Sequence, residues 1–341
     1  MVDRGGGAAS PSSESLFHAR KRPLRLLIVV FGLVWLMNAL FAAHAWLLEP
    51  GGEGAANLIG AFRKPIAGAP LWLKPYLLSV TKAVLAIGPS RIAVAMVAID
   101  ALIGLALLSG IAAAPFSWFA ILYCFFCWTT LNAFGFPYSD GQTDPGVFVV
   151  YMIAFLFILA ALARLRQKGA GGGFFHERLW TAARILFGLL WAFDAALKWL
   201  PAFHDHFLHQ LTSILPGEPP WFAAYLGFII VLVGALGPRL VATMVALIET
   251  LIAAGILAGR GLGLVIPLGL AWSFAVWSTA EAFGGPYTST GTGVRGNVLG
   301  NVLIYMIPFF FLWLATRARI AGKGRAKSER QKSRAPGSVR P

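Results

Sequence analysis

Apolar residues in this chain run in blocks of about twenty positions, separated by short clusters of glycine, proline and charged residues. A soluble amphipathic helix would interrupt such blocks with polar residues every three or four positions. Leu26 to Leu48 follows a polar, basic stretch that ends at Arg25, and is long enough to cross a hydrocarbon core of about 30 Å at about 1.5 Å per residue. Further runs at 91–110, 114–134 and 147–163 predict more crossing helices, and a helix like the first recurs at 181–200. Ala43-His44-Ala45 resembles a signal-peptide cleavage site, but the recurrence of the same kind of helix later in the chain argues for a retained span.

Composition narrows the class. Of 341 residues, 58% are hydrophobic and 12% charged, and the mean hydropathy is +0.72, which describes an integral membrane chain and not a soluble domain. The formal charge of +14 would suit a nucleic-acid partner if it were spread over one surface. It lies instead wholly in residues 1–25, 164–178 and 317–341, beside apolar runs. That is positive-inside marking, and it excludes nucleic acid as the natural partner in favour of the lipid bilayer. Two cysteines cannot build a disulfide framework.

Residues 88–138 placed over 237–287, at a constant offset of 149, give 16 identities in 51 positions. Gly88-Pro89 meets Gly237-Pro238, Asp100 meets Glu249, Trp128 meets Trp277, and Ala-Phe-Gly-x-Pro-Tyr ending at Tyr138 meets the same string ending at Tyr287. Tyr151-Met152-Ile153 pairs with Tyr305-Met306-Ile307 at an offset of 154, so the second copy has a longer loop before it. Upstream, Gly32-x-x-Trp35-x-x-Asn38 matches Gly188-x-x-Trp191-x-x-Asp194. The expected fold is therefore all-α and integral to the membrane, with two tandem four-helix bundles as parallel repeats and about eight spans. Its parts are a basic tail 1–25, repeat 26–166, a Gly-rich linker 167–180, repeat 181–317 and a second basic tail 318–341. Leu71 to Ile87 and Trp221 to Leu236 leave room for an extra interfacial helix in each copy. Were they to cross, the basic linker would face away from both basic tails, so the charges favour four spans per copy with the termini and linker cytoplasmic, in an inner membrane.

Ionisable residues at membrane depth carry the candidate chemistry, because a carboxylate near the midplane costs on the order of 3 kcal/mol and needs a partner or a cavity. Asp100 and Glu249 fall near the middle of the second span of each copy, and Asp194 has Lys198 one turn later on its own helix, within reach of an ion pair. Asn38 stands at the position of Asp194, and Asn132 at that of Glu281. This pattern predicts bundles with polar interiors opening outward, the second wetter than the first. Glu249, Asp194, Lys198 and Asp100 are the candidates for proton transfer, and Trp191, Glu281, Trp277, Asn38 and Asn132 for ligand binding. Equally, such groups serve as hydrogen-bonding glue between helices. Cys124-x-x-Cys127 is a candidate dithiol, although it lies in mid-helix without the helix N-terminus that stabilises a thiolate, and the second copy has Ser273 and Val276 there. His204, Asp205, His206 and His209 lack the one-turn spacing of a helical zinc motif and read as a solvated outer loop, so no metal site is expected.

Arg184-x-x-x-Gly188-x-x-Trp191-x-x-Asp194-x-x-x-Lys198, followed by Glu249, Gly255 and Gly259, resembles the DoxX/DoxD-like membrane proteins. The first copy is similar through the repeat, with Asn38 and Ala42 in place of the Asp and Lys. The resemblance implies a four-span unit, and through DoxD a membrane subunit of a thiosulfate:quinone oxidoreductase, with quinone as substrate and a redox protein as partner. Other relatives it implies are scaffolds or assembly partners of redox enzymes, so a non-catalytic scaffold or small-molecule carrier is the alternative expectation.

Overall fold

The computed structural model describes residues 13–48, 53–135, 143–166, 174–216, 218–284 and 300–334. The Gly-rich linker at 169–173 and the Pro-Tyr ends of both repeated strings lie outside the described residues. Every element within them is helical: α1 (Ser13–Ala43) with a π-helical end His44–Leu48, α2 (Gly54–Gly68), α3 (Lys74–Ile87), α4 (Pro89–Ser109), α5 (Ala113–Thr130) and α6 (Val147–Arg166). The second half follows with α7 (Phe174–Lys198), α8 (Pro201–Thr212), α9 (Pro220–Leu236), α10 (Pro238–Ala258), α11 (Leu262–Thr279) and α12 (Asn301–Arg334). Seven helices are long and apolar enough to cross a membrane, and the apolar parts of α9 and α12, Pro220–Leu236 and Asn301–Arg317, are shorter. Leucines such as Leu26, Leu40, Leu122 and Leu251 stand exposed on the outer faces, as a lipid solvent permits.

Sequence chemistry sets the boundaries. Gly88 and Gly237 stop α3 and α9 with φ of 104° and 95°, a region glycine enters without a Cβ penalty. Pro89 and Pro238 then open α4 and α10 at the one helical position where a missing N–H costs nothing. Each half therefore turns a sharp corner on two residues. Ala133-Phe134-Gly135 and Ala282-Phe283-Gly284 form a second matched corner, with all three residues of each left-handed. Trp128 stacks edge-on against Phe134 at 5.2 Å and Trp277 against Phe283 at 5.0 Å, a contact that holds the costly backbone in place.

Helix α1 packs antiparallel on α4, and α7 on α10, with Gly32 against Gly104 and Leu107, and Gly188 against Leu257. Helix α5 packs on α6 and α11 on α12. The halves meet where α6 lies against α12, with Phe157 stacked on Phe311 at 5.8 Å, while α7 flanks α6 and α1 flanks α12. The same trios occupy both halves: Phe31, Trp35 and Tyr151 with Phe155 in one, Phe187, Trp191 and Tyr305 with Phe309 in the other.

Two short helices modify the expectation. The chain after α7 is not a solvated loop: His204, Asp205, His206 and His209 lie on α8, where the Nδ1 atoms of His204 and His206 face carbonyls one turn back and Asp205 pairs with Arg239 at 2.8 Å. Helix α2 occupies the corresponding place in the first half. Pro201 at the first turn and the apolar positions Phe203, Phe207 and Leu211, four apart, make α8 amphipathic, a period hidden by the histidines between them. Helices α2 and α3 form a hairpin beside α4, and α8 packs on both α9 and α10.

Candidate functional site

Four residues of α7 spaced four, three and four apart present Phe187, Trp191, Asp194 and Lys198 to the interior of the second half. Phe187 and Trp191 pack on α12, with Trp191 5.4 Å from Tyr305. Beyond them Lys198, the last residue of α7, reaches α10: its Nζ lies 2.7 Å from Glu249 Oε2. The ion pair expected within α7 is thus made between helices. Trp272 of α11 donates its indole N–H to Glu249 Oε1 at 3.1 Å, so both oxygens of this 3% exposed carboxylate are engaged. Lys198 also donates to the backbone carbonyl of Thr143 at 3.0 Å, although Thr143 precedes α6 and belongs to the first half.

These groups surround a cavity of about 590 Å³ in the second half. One end is polar, with Asp194, Lys198, Glu249 and Tyr305. The other is walled by Phe203, Phe207 and Leu211 of α8 and by Ile229 and Val233 of α9. Asp144, just before α6, and Glu281, just after α11, bring two more carboxyl groups to the lining. Asp194 is 3% exposed, the Tyr305 hydroxyl lies beside it, and its Oδ1 has no hydrogen-bond partner. Trp191 Nε1, one turn earlier, likewise has none.

Glu281 has a structural task as well. Its Oε1 accepts the N–H of Asn301 and its Oε2 that of Val302, each at 3.0 Å, so one carboxyl caps the first turn of α12. Gly300 permits this, since a Cβ there would stand 2.2 Å from Oε2. Burial pushes the Glu281 carboxyl up to about 8, with the Val302 and Asn301 N–H groups acting in the opposite direction.

The remaining candidates lie elsewhere. In the first half Asn38 donates to the Tyr151 hydroxyl at 2.7 Å, and Asp100, 8% exposed, has the Tyr123 hydroxyl beside it. Asn132 presses against Gly146, where a Cβ would meet its Nδ2 at 2.1 Å, much as Glu281 presses against Gly300 in the second half. Trp277 belongs to the corner with Phe283 and does not line the cavity. Cys124 and Cys127 are buried free thiols of the first half, packed with Trp35, Tyr151 and Ala42, Trp46 respectively. The structure thus gathers Asp194, Lys198, Glu249, Glu281 and Trp191 round one cavity and leaves Asp100, Asn38, Asn132, Trp277 and both cysteines outside it. Among the described residues no cluster of three or more His, Cys, Asp or Glu side chains is arranged to hold a metal ion.

Three contributors escaped the sequence. Thr143 and Asp144 stand in a loop of the other half, whose glycine, proline and aspartate residues read as a turn and not as part of this site. Trp272 was legible in principle, because the offset of 149 places it over Tyr123, and the two aromatics lie beside the two matched carboxyl groups, Glu249 and Asp100. No family model, no curated protein and no solved structure matches this chain.

Proposed function

We propose that this chain is the membrane subunit of a quinone-linked oxidoreductase system, and that the second half receives the quinone ring in its cavity. The observation that carries the proposal is the cavity's two-ended lining: buried ionisable groups at one end and aromatic and aliphatic side chains at the other. A volume of about 590 Å³ falls within the range of about 300–1,000 Å³ typical of small-molecule sites. Quinone reduction takes up two electrons and two protons, so it needs proton carriers at the ring oxygens, and Asp194 and Glu249 stand at the polar end with Lys198 between them. The electrons come from a reductant outside this chain, a redox protein or a reduced sulfur compound such as thiosulfate. The DoxX/DoxD-like motif on α7 supports the same reading.

The architecture proposed with it is a tandem duplication of a four-span unit, with α12 as the eighth span and both termini and the linker cytoplasmic. Matched contacts support the duplication: Tyr76 bonds Thr129 at 2.9 Å and Tyr225 bonds Ser278 at 3.3 Å, at the repeat offset of 149. The test uses the full chain in detergent, with a short-chain quinone and its hydroquinone. Saturable binding is expected, weakened at least tenfold by E249Q and unchanged by C124A/C127A. Failure of both ring forms to bind, alone and with co-purified partners, overturns the proposal in favour of a carrier or scaffold. Loss of binding in folded C124A/C127A moves the redox site to the thiols.

A further inference from the structure

The cavity has a counterpart in the first half, and there the same positions are filled. At the offset of 149 the apolar lining residues Val233, Val245, Val276 and Ala280 fall over Val84, Met96, Cys127 and Leu131, and at the offset of 154 Val302 falls over Phe148. These five counterparts belong to one apolar core, together with Trp46 and Phe62. Ala42, which stands where the second half has Lys198, is buried in the same core. One set of helix positions therefore builds a core in one half and the wall of a cavity of about 590 Å³ in the other. Three of the exchanges change side-chain volume in the same direction: Met96 against Val245, Leu131 against Ala280 and Phe148 against Val302. Together they remove about eight non-hydrogen atoms, the bulk of one six-membered ring with two oxygens. Val245 is one turn before Glu249 on α10 and Val302 one turn before Tyr305 on α12, so the room opens beside the polar end.

Resting on the quinone reading, we infer that Val245, Ala280 and Val302 are the residues that make room for the ring, and that the first half is the same site closed, so that each chain binds one ring. Protein interiors are packed as densely as organic crystals, and space left by a smaller side chain lowers stability until something occupies it. Met96, Leu131 and Phe148 show that the helical framework accommodates the larger side chains at these positions. The small ones therefore serve a ligand and not the packing, an exchange of stability for binding.

The experiment measures binding of duroquinone and of duroquinol, kept anaerobic, to the full chain in detergent by equilibrium dialysis, and thermal unfolding of the same proteins without ligand. Wild-type protein should hold one ring per chain. V245M/A280L/V302F, which carries the first-half residues, should bind both forms at least about tenfold more weakly and unfold about 2 °C or more higher, as a filled cavity does. Loss of ligand through a merely structural defect would lower the midpoint instead. V245M and A280L alone should each weaken binding about threefold with no fall in midpoint. Where the triple variant fails to fold, these two carry the test, and unchanged binding in both or a lowered midpoint in both overturns the inference. A folded triple variant that binds like wild type, or two rings bound per wild-type chain, overturns it while leaving quinone binding in place. A raised midpoint in the triple variant with no ring bound by wild type keeps the assignment of the three residues and overturns the quinone reading.

Discussion

At the scale of residues, Lys198 is the hinge of the site because it neutralises Glu249 and ties the second half to Thr143. Removing one partner of a buried pair leaves a lone charge, so K198M should destabilise the protein by about 3–5 kcal/mol. The double variant K198M/E249L, which removes both charges, should recover most of that loss in thermal unfolding in detergent. Equal destabilisation by the single and double variants would show that Lys198 acts through packing alone. Glu281 gives a pH dependence whose sign can be worked out. Its carboxyl is raised from 4.5 to about 8, so between these values the folded protein keeps a proton that the unfolded chain has lost. Its stabilising contribution is full below 4.5 and is lost as the pH rises through about 8. The midpoint of unfolding should therefore fall from about pH 5 to about pH 9 in wild type, and fall less in E281Q. A wild-type midpoint that rises over this window, or an E281Q profile that superimposes on it, would be incompatible with this assignment.

At the scale of elements, close approach of helices explains the glycine positions. A Cβ on Gly188 would stand 2.7 Å from Leu257 Cγ and 3.1 Å from its backbone N, and one on Gly104 would stand 2.8 Å from the Leu36 side chain and 3.0 Å from its N. Because backbone atoms are among those met, the helices must move apart. G188V and G104V should each cost about 1–3 kcal/mol in thermal unfolding. Gly60 of α2 has no atom within 4 Å of its would-be Cβ, so G60V should be near neutral. A loss in G60V as large as in the other two would assign the effect to helix propensity. The α2–α3 and α8–α9 segments extend this view: short helices ended by Gly88 and Gly237 build on the bundle and, in the second half, provide the apolar wall of the cavity.

At the scale of the whole molecule, the two halves are not independent compartments. Phe157 stacks on Phe311 between them, and Thr143 and Asp144 of the first half complete the cavity of the second. The proposed topology, which follows positive-inside marking, has residues 1–25, 164–178 and 317–341 on one side. In a C124A/C127A background, single cysteines at Ser10 and Gly172 should react with impermeant maleimide only after the membrane is opened, and one at Ser289 should react in intact cells. Labelling of Gly172 from outside would mean that α3 and α9 cross, and the halves would be inverted.

The helical class, the membrane solvent and the polar residues at depth are properties of local composition and spacing, so the sequence by itself determined them. An apolar block of twenty residues has one stable form in a bilayer, and a carboxylate within it is conspicuous wherever the helix goes. The helix after α7 was less legible, because His204, Asp205, His206 and His209 mask the apolar period of Phe203, Phe207 and Leu211. Only the tertiary structure decided which polar groups meet. Asp194 and Lys198 share a helix face, but the nearer partner of Lys198 is Glu249, fifty-one positions away, because the antiparallel packing of α7 on α10 brings its long stem across. The same packing separates two sets that look alike in sequence. Asp100 closes on Tyr123 in the first half, whereas Glu249, Asp194 and Glu281 open on a cavity that a loop from that first half completes. Contacts between helices and across halves depend on side-chain reach and crossing geometry, which no spacing along one helix encodes.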